Sequence, residues 1–230
     1  SNILFDIKCK SIKLASADLT NFDLIKHIST FKIPLIISTG MSTMSEIFST
    51  VQLLNNQNSD FCLLHCTAAY PTPISEANLV NISYFQKIFS VPIGYSDHTI
   101  GNNACYTAVS LGATIVEKHF TLDKNMDGPD QKLSADVSDF KNLVTQIRQI
   151  EQMIGKRRIE PTPSEKKFRQ AMRRSLVFSK DLKKGVILKK SDFMFLRPGN
   201  GISPNNLDII LGSKINQNVK KGSFLRRDMI

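Results

Sequence analysis

The sequence predicts an α/β fold, a partial (β/α)8 barrel followed by a small β-rich domain, on three observations. Across residues 1–155, short apolar runs alternate with amphipathic stretches about every 22 to 30 residues, the length of a strand-plus-helix unit. Each run closes in polar or small residues, where parallel α/β architectures gather their ligands. Beyond Gly155 the character changes: residues 1–155 hold 11 Lys or Arg against 14 Asp or Glu, and residues 156–230 hold 19 against 6.

Five strands are expected in order, at 12–16, 34–38, 61–66, 92–96 and 114–120. Their nearly continuous apolar character is that of parallel strands covered on both faces. Helices at 24–29, 45–54, 77–89 and 103–111 separate them, and one at 139–154 closes the series. The strand ends read Ala15-Ser16-Ala17-Asp18, Ser38-Thr39-Gly40, His65-Cys66-Thr67, Ser96-Asp97-His98-Thr99 and Lys118-His119-Phe120. A doubly wound sheet accounts for the alternation equally well. No GxGxxG or GxxxxGK[ST] run follows any strand, however, which weakens a nucleotide-binding reading and favours the barrel.

A complete barrel needs eight strands. With five before Gly155, an opening that reads as the end of a helix, and no initiating Met, the expectation is an N-terminally truncated chain. Segment 156–174 is basic, carries Pro161 and Pro163, and reads as a linker. Residues 175–230 offer β-like pieces at 176–178 and 193–196, several glycine turns, and two Lys-Lys-Gly runs at 183–185 and 220–222. A β-rich appendage of marginal stability on its own is expected there.

Composition narrows the function classes. With 230 residues, 41% hydrophobic content and a net charge of +10, the chain is globular, neither disordered nor collagen-like. Its apolar runs fall far short of the roughly 18 residues that span a bilayer, and no charged-then-apolar leader opens it, so no membrane partner and a cytoplasmic location are expected. Cys9, Cys62, Cys66 and Cys105 show no zinc-like pairing and read as free thiols, mostly buried. The basic tail carries no zinc finger, RNP-type strand or recognition helix, so no nucleic-acid partner is expected. An anionic substrate, an acidic subunit or a solvated surface remain as readings of it.

The chemistry-bearing residues sit at the strand ends. His98 and His119 close consecutive strands, where two neutral imidazoles can share a divalent transition metal or each bond a neighbouring loop. Lys13 and Lys118 lie within apolar strands, costly places for an ammonium unless paired. Lys13, close to Ser16 and Asp18, is the better placed to meet phosphate or carboxylate oxygens; Lys118 can pair outward or across strands. Ser16, Ser38, Thr39 and Ser96 serve as hydroxyl donors to a ligand or as caps and turn residues, and Asp97 as a helix cap. Asp130, in a loop after the last strand, accepts from a polyol or is a solvated turn. Tyr70, held before Pro71, covers the mouth or packs. A non-catalytic carbohydrate- or anion-binding protein is the competing class.

Six motifs together, IKLASADLTN (12–21), PLIISTGMST (34–43), LLHCTAAYPTP (63–73), PIGYSDHTIG (92–101), ATIVEKHFTLDKNMDGPDQKLS (113–134) and RPGNGIS (197–203), closely resemble the sialic acid synthase family, NeuB-like enzymes. The resemblance runs in order over essentially the whole chain. It implies a (β/α)8 barrel entered just before its fourth strand, a C-terminal antifreeze-like SAF domain, and a domain-swapped homodimer. It also implies condensation of phosphoenolpyruvate with an N-acetylated hexosamine, N-acetylmannosamine in the type reaction, to a nine-carbon 2-keto acid and phosphate. By resemblance the divalent metal, usually Mn²⁺ with Mg²⁺ or Co²⁺ as alternatives, falls on His98 and His119. Lys13, Ser16, Ser38 and Ser96 match phosphoenolpyruvate contacts, and Asp18 matches an acidic position, commonly Glu, in proton transfer or water handling. Tyr70 and Asp130 match contacts to the amino sugar, and Arg197 matches an arginine offered to the sugar N-acetyl group in a partner subunit. Asp18 is one methylene short of Glu, and Ala68 stands where some members carry an amide; legionaminic and pseudaminic acid synthases share the scaffold.

Overall fold

A computed structural model describes residue 3 and residues 6–230 of the chain. The helix end expected at the opening falls on Ser1, Asn2, Leu4 and Phe5 among others, and these four lie outside the described residues. The chain divides into two compact units, Ser1–Lys156 and Arg157–Ile230.

In the first unit β1 (Ile12–Leu14), β2 (Leu35–Ser38), β3 (Phe61–Cys66), β4 (Ile93–Asp97) and β5 (Val116–Lys118) pair in chain order, all parallel, as half of a barrel. Helices α1 (Phe22–Ser29), α2 (Met44–Asn56), α3 (Val80–Ile88), α4 (Asn103–Ser110) and α5 (Val137–Ile154) follow successive strands. Their starts are chemically specified. Asn21 accepts from Leu24 N–H, and reciprocal capping pairs Thr43–Glu46 and Asp136–Asp139 open α2 and α5.

Strand side chains alternate between two environments, as a pleat requires. Ile12, Leu14, Leu35, Ile37, Phe61, Leu63, Ile93 and Tyr95 join one core with Ile25, Ile28, Ile47, Leu54, Ile82, Phe85 and Ala108 of the helices. The intervening positions, among them Lys13, Ser38, Cys66, Ser96 and Glu117, line the other face, the barrel interior. Polar chemistry on one face therefore costs the hydrophobic core nothing. Cys62, Cys66 and Cys105 are buried free thiols and Cys9 is partly covered.

The second unit begins with α6 (Pro163–Met172), inside the segment expected to be a linker. Thr162 and Glu165 cap it reciprocally with Pro163 in the first turn, so the greater part of the 156–174 segment is helical. β6 (Ser175–Phe178) and β7 (Phe193–Leu196) then pair antiparallel. Leu176, Phe178, Leu188, Phe193, Ile215 and Leu225 are among the residues of a separate small core. The two Lys-Lys-Gly runs form equivalent turns, with Gly185 at φ 87° and Gly222 at φ 85°, a left-handed region glycine enters without strain. Lys184 N–H donates to Asn218 and Lys221 N–H to Asp181, so each turn is tied to the residue that introduces the other.

Candidate active site

The carboxyl ends of all five strands meet in one cavity of about 290 Å³, lined by Lys13, Ser16, Ser38, Cys66, Tyr70, Ser96, Glu117, His98 and His119 among others. Register explains the convergence: Ser96 is the cross-strand partner of Glu117, and Ser38 of Leu64. Glu117 is the hub of the interior face. Its carboxylate accepts from Ser96 Oγ at 2.6 Å and lies 3.2 Å from Lys13 Nζ, with both charged side chains still partly open to solvent. Ser16 Oγ accepts from Gly40 N–H at 2.9 Å and donates to Cys66 Sγ at 3.7 Å. Gly40 is required there, because an added Cβ would stand 2.9 Å from Ser16 Oγ and 3.2 Å from Cys66 Sγ. Ser38 Oγ is buried without a hydrogen-bond partner, an arrangement a bound polar ligand would relieve.

The two imidazoles meet edge to face with ring centroids 5.2 Å apart, and the Tyr70 ring lies 4.2 Å from His98 and 5.6 Å from His119. His98 Nδ1 stands 3.0 Å from the Thr67 carbonyl, which only accepts, so Nδ1 carries the proton and Nε2 keeps its lone pair. Burial holds the His98 imidazole below its ordinary pKa, assisted by the neighbouring His119, and so keeps it neutral as a ligand must be. His119 Nδ1 is 3.6 Å from Asp130 Oδ2, a carboxylate behind an imidazole. Among the described residues no three His, Cys, Asp or Glu side chains cluster for a metal. Two imidazole nitrogens with a carboxylate behind one of them suit an open divalent site whose remaining positions go to substrate oxygens and water.

On the helix-facing side of the same strand ends Lys118 makes a buried ion pair with Asp97 at 2.7 Å, their side chains 2% and 0% exposed. Asp97 also accepts from Tyr95 OH, Thr99 N–H and Cys105 Sγ. Burial works against its ionisation but is outweighed by the ammonium and these donors, which hold the carboxyl below the usual range. Burial and the same carboxylate push the Tyr95 phenol and Cys105 thiol up. Lys118 is thus committed to Asp97 and offers nothing to an anion, while Asp97 caps no helix: Asn102 stands at the N-cap of α4.

Of the residues expected from sequence, Lys13, Ser16, Ser38, Tyr70, Ser96, His98 and His119 come together around one cavity, with Asp130 at its edge beside His119. Asp18 does not join them. It sits in the 3-10 turn Ser16–Asp18, and its carboxylate accepts from Asn21 Nδ2. Arg197 belongs to the second unit, exposed just after β7. Sequence reasoning missed Glu117, and it gave Cys66 and Gly40 no place in the site. The signal for Glu117 was the period-two rule, which sends adjacent strand residues to opposite faces.

Residues 2–158 match the NeuB family and residues 173–230 match the SAF domain. The chain belongs to the NeuB family. This NeuB-family chain is 43% identical over 228 residues to an uncharacterized protein of Methanocaldococcus jannaschii, covering 99% of this chain and 68% of that one. It is 38% identical to the N,N'-diacetyllegionaminic acid synthase of Legionella pneumophila, over 97% of this chain and 64% of the relative. It thus spans about two thirds of the length of these relatives. The crystal structure of a sialic acid synthetase from Leptospira borgpetersenii in complex with citrate superposes with a TM-score of 0.70 at 36% identity, covering 72% of this chain and 58% of that one. Among the described residues no helix is long and apolar enough to cross a membrane.

Proposed function

We propose that this chain carries the reacting centre of a synthase that condenses phosphoenolpyruvate with an N-acetylated hexosamine to give a nine-carbon 2-keto sugar acid and phosphate. The observation that carries the reading is the shared interior cavity that brings together Lys13, the unpartnered Ser38 hydroxyl, Ser96, Glu117 and the two adjacent imidazoles. Phosphoenolpyruvate brings a phosphate and a carboxylate, and Lys13 with the hydroxyls of Ser16, Ser38 and Ser96 supplies one fixed charge and several donors for them. His98 and His119 are the groups to hold a divalent ion, Mn²⁺ foremost. When bound, that ion supplies Lewis-acid polarisation of the sugar aldehyde.

The reaction joins C3 of phosphoenolpyruvate to the aldehyde carbon, water adds at C2, and phosphate departs. Glu117, bonded to Ser96 and Lys13 inside the cavity, is the carboxylate positioned to take or guide the proton of that water. Tyr70 packs against both imidazoles and Asp130 stands behind His119, a side wall for the sugar. Arg197 enters from the SAF domain of a partner subunit in a swapped homodimer.

N-acetylmannosamine, giving N-acetylneuraminate, is the type substrate of this reading. A second reading, N,N'-diacetyllegionaminate from a hexose bearing two N-acetyl groups, has the 38% identity to the Legionella pneumophila synthase in its favour. Calorimetry with phosphoenolpyruvate tests the common core: the chain binds it, and Lys13→Ala with Ser38→Ala abolishes the heat. Absence of binding by the unaltered chain overturns the proposal. Metal-dependent 2-keto acid formation with either sugar then separates a synthase from a binding module.

A further inference from the structure

We infer that the buried Asp97–Lys118 ion pair is the positioning device for the two-histidine site, holding His98 and His119 edge to face, 5.2 Å apart, from the opposite side of the sheet. This rests on the proposed reading of the two imidazoles as metal ligands. Asp97 and Lys118 are cross-strand partners at the tips of β4 and β5, and each directly precedes one of the histidines. The pair does more than join the strands. Asp97 accepts the N–H of Thr99 at 2.8 Å, and Lys118 Nζ donates to the carbonyl of Thr99 at 2.9 Å. The residues on both sides of His98 are therefore tied to one buried charge cluster, completed by Tyr95 OH at 3.1 Å and Cys105 Sγ at 3.1 Å.

An apolar pair of similar size would hold the strands together as well, since buried ion pairs are weak sources of net stability. What charge and directional hydrogen bonds add is a single geometry for the turn that carries His98. A ligand pair 5.2 Å apart, ring to ring, tolerates little drift before it ceases to share one ion. Asp97 and Lys118 act through the histidines and touch no reacting atom, so they are positioning residues.

The test is Mn²⁺ affinity, read on the full chain by the paramagnetic resonance signal of free Mn²⁺, beside phosphoenolpyruvate affinity of the metal-free chain. D97N/K118M removes both charges together, and circular dichroism checks that it folds. Its Kd for Mn²⁺ rises about tenfold or more, the scale of outer-shell effects on metal sites, while phosphoenolpyruvate binding stays within about twofold. A folded double variant that holds Mn²⁺ as the parent does, or that loses both ligands equally, overturns the inference and leaves the proposed function standing. If the double variant does not fold, Tyr95→Phe removes one bond to Asp97 at nearly constant volume. It weakens Mn²⁺ about threefold, and unchanged affinity overturns the inference. A parent chain that binds no Mn²⁺ removes the metal reading itself and this inference with it.

Discussion

Glu117 and Lys118, adjacent at the tip of β5, each belong to a carboxylate–ammonium pair, one with Lys13 of β1 and the other with Asp97 of β4, on opposite faces, and the surroundings of the two pairs differ completely. Glu117 and Lys13 meet on the interior face with 40% and 32% of their side chains exposed, while Asp97 and Lys118 meet on the helix side at 0% and 2%. The open pair keeps water and room for a ligand, so its charges remain available to chemistry. In the closed pair every charge is spent on the protein's own groups. One peptide unit of strand is enough to separate a reactive site from its scaffold.

Substitutions on the two faces sharpen the contrast. The largest effect belongs to the two histidines: under the proposed function His98→Ala or His119→Ala lowers 2-keto acid formation about 10³-fold, because the Lewis-acid stabilisation proposed for a bound ion is worth several kcal/mol. Near-parental activity in both breaks the comparison at its functional end. On the closed face Lys118→Met alone destabilises by about 3–5 kcal/mol in urea unfolding, since it leaves the Asp97 carboxylate buried and unpaired. Lys13→Met on the open face costs less than about 1 kcal/mol. Equal losses would erase the distinction.

Acid provides a third measure. Burial depresses the imidazoles of His65, whose Nε2 sits 2.8 Å from the Ala77 carbonyl, and of His98. The unfolded chain therefore takes up protons at a higher pH than the folded one. Stability declines as pH falls below about 6.5 and goes on declining until the lower folded-state values are passed. The depressed Asp97 carboxyl adds its own loss in the same direction at lower pH, as it protonates. Melting temperatures that stay flat or rise between pH 7 and 5 contradict this. Gly40→Ala, which presses on Ser16 Oγ, raises the Kd for phosphoenolpyruvate about tenfold, roughly 1.4 kcal/mol, with little change in melting. The smallest effect is Asp18→Asn, whose carboxylate serves Asn21 in its turn: less than about a threefold change in activity.

The β-strand and helix series was readable because parallel strands announce themselves as apolar runs and their helices carry capping chemistry. The strand at 61–66 emerges unaltered, and the one expected at 114–120 shortens to Val116–Lys118. At the earlier end the Thr114 amide and hydroxyl both bond the Ile93 carbonyl, and at the later end the His119 carbonyl accepts from Ala135 in the following loop. The convergence of Ser38, Ser96 and both histidines was legible because each stands at a strand end, and that of Lys13 because an ammonium inside an apolar strand needs a partner. Glu117 was not. Register places Ser96 of the neighbouring strand beside it, whereas Lys13 comes from β1 at the far edge of the sheet and reaches it only across the curved interior; in sequence it stands beside Lys118, whose side chain faces the other way. The helix at Pro163–Met172 was concealed by its prolines, although Thr162 and Glu165 spell a capping box around the first of its turns. Asp18 followed the family resemblance to a glutamate position, and the 3-10 turn after β1 keeps its shorter side chain with Asn21.

A crystal of the chain grown with Mn²⁺ and phosphoenolpyruvate addresses the central claim most directly. The expected result is an anomalous peak bound by the imidazoles of His98 and His119, with the phosphate or carboxylate of the ligand on Lys13, Ser16, Ser38 and Ser96. Density for the ion away from both imidazoles, or for phosphoenolpyruvate outside this interior cavity, contradicts it.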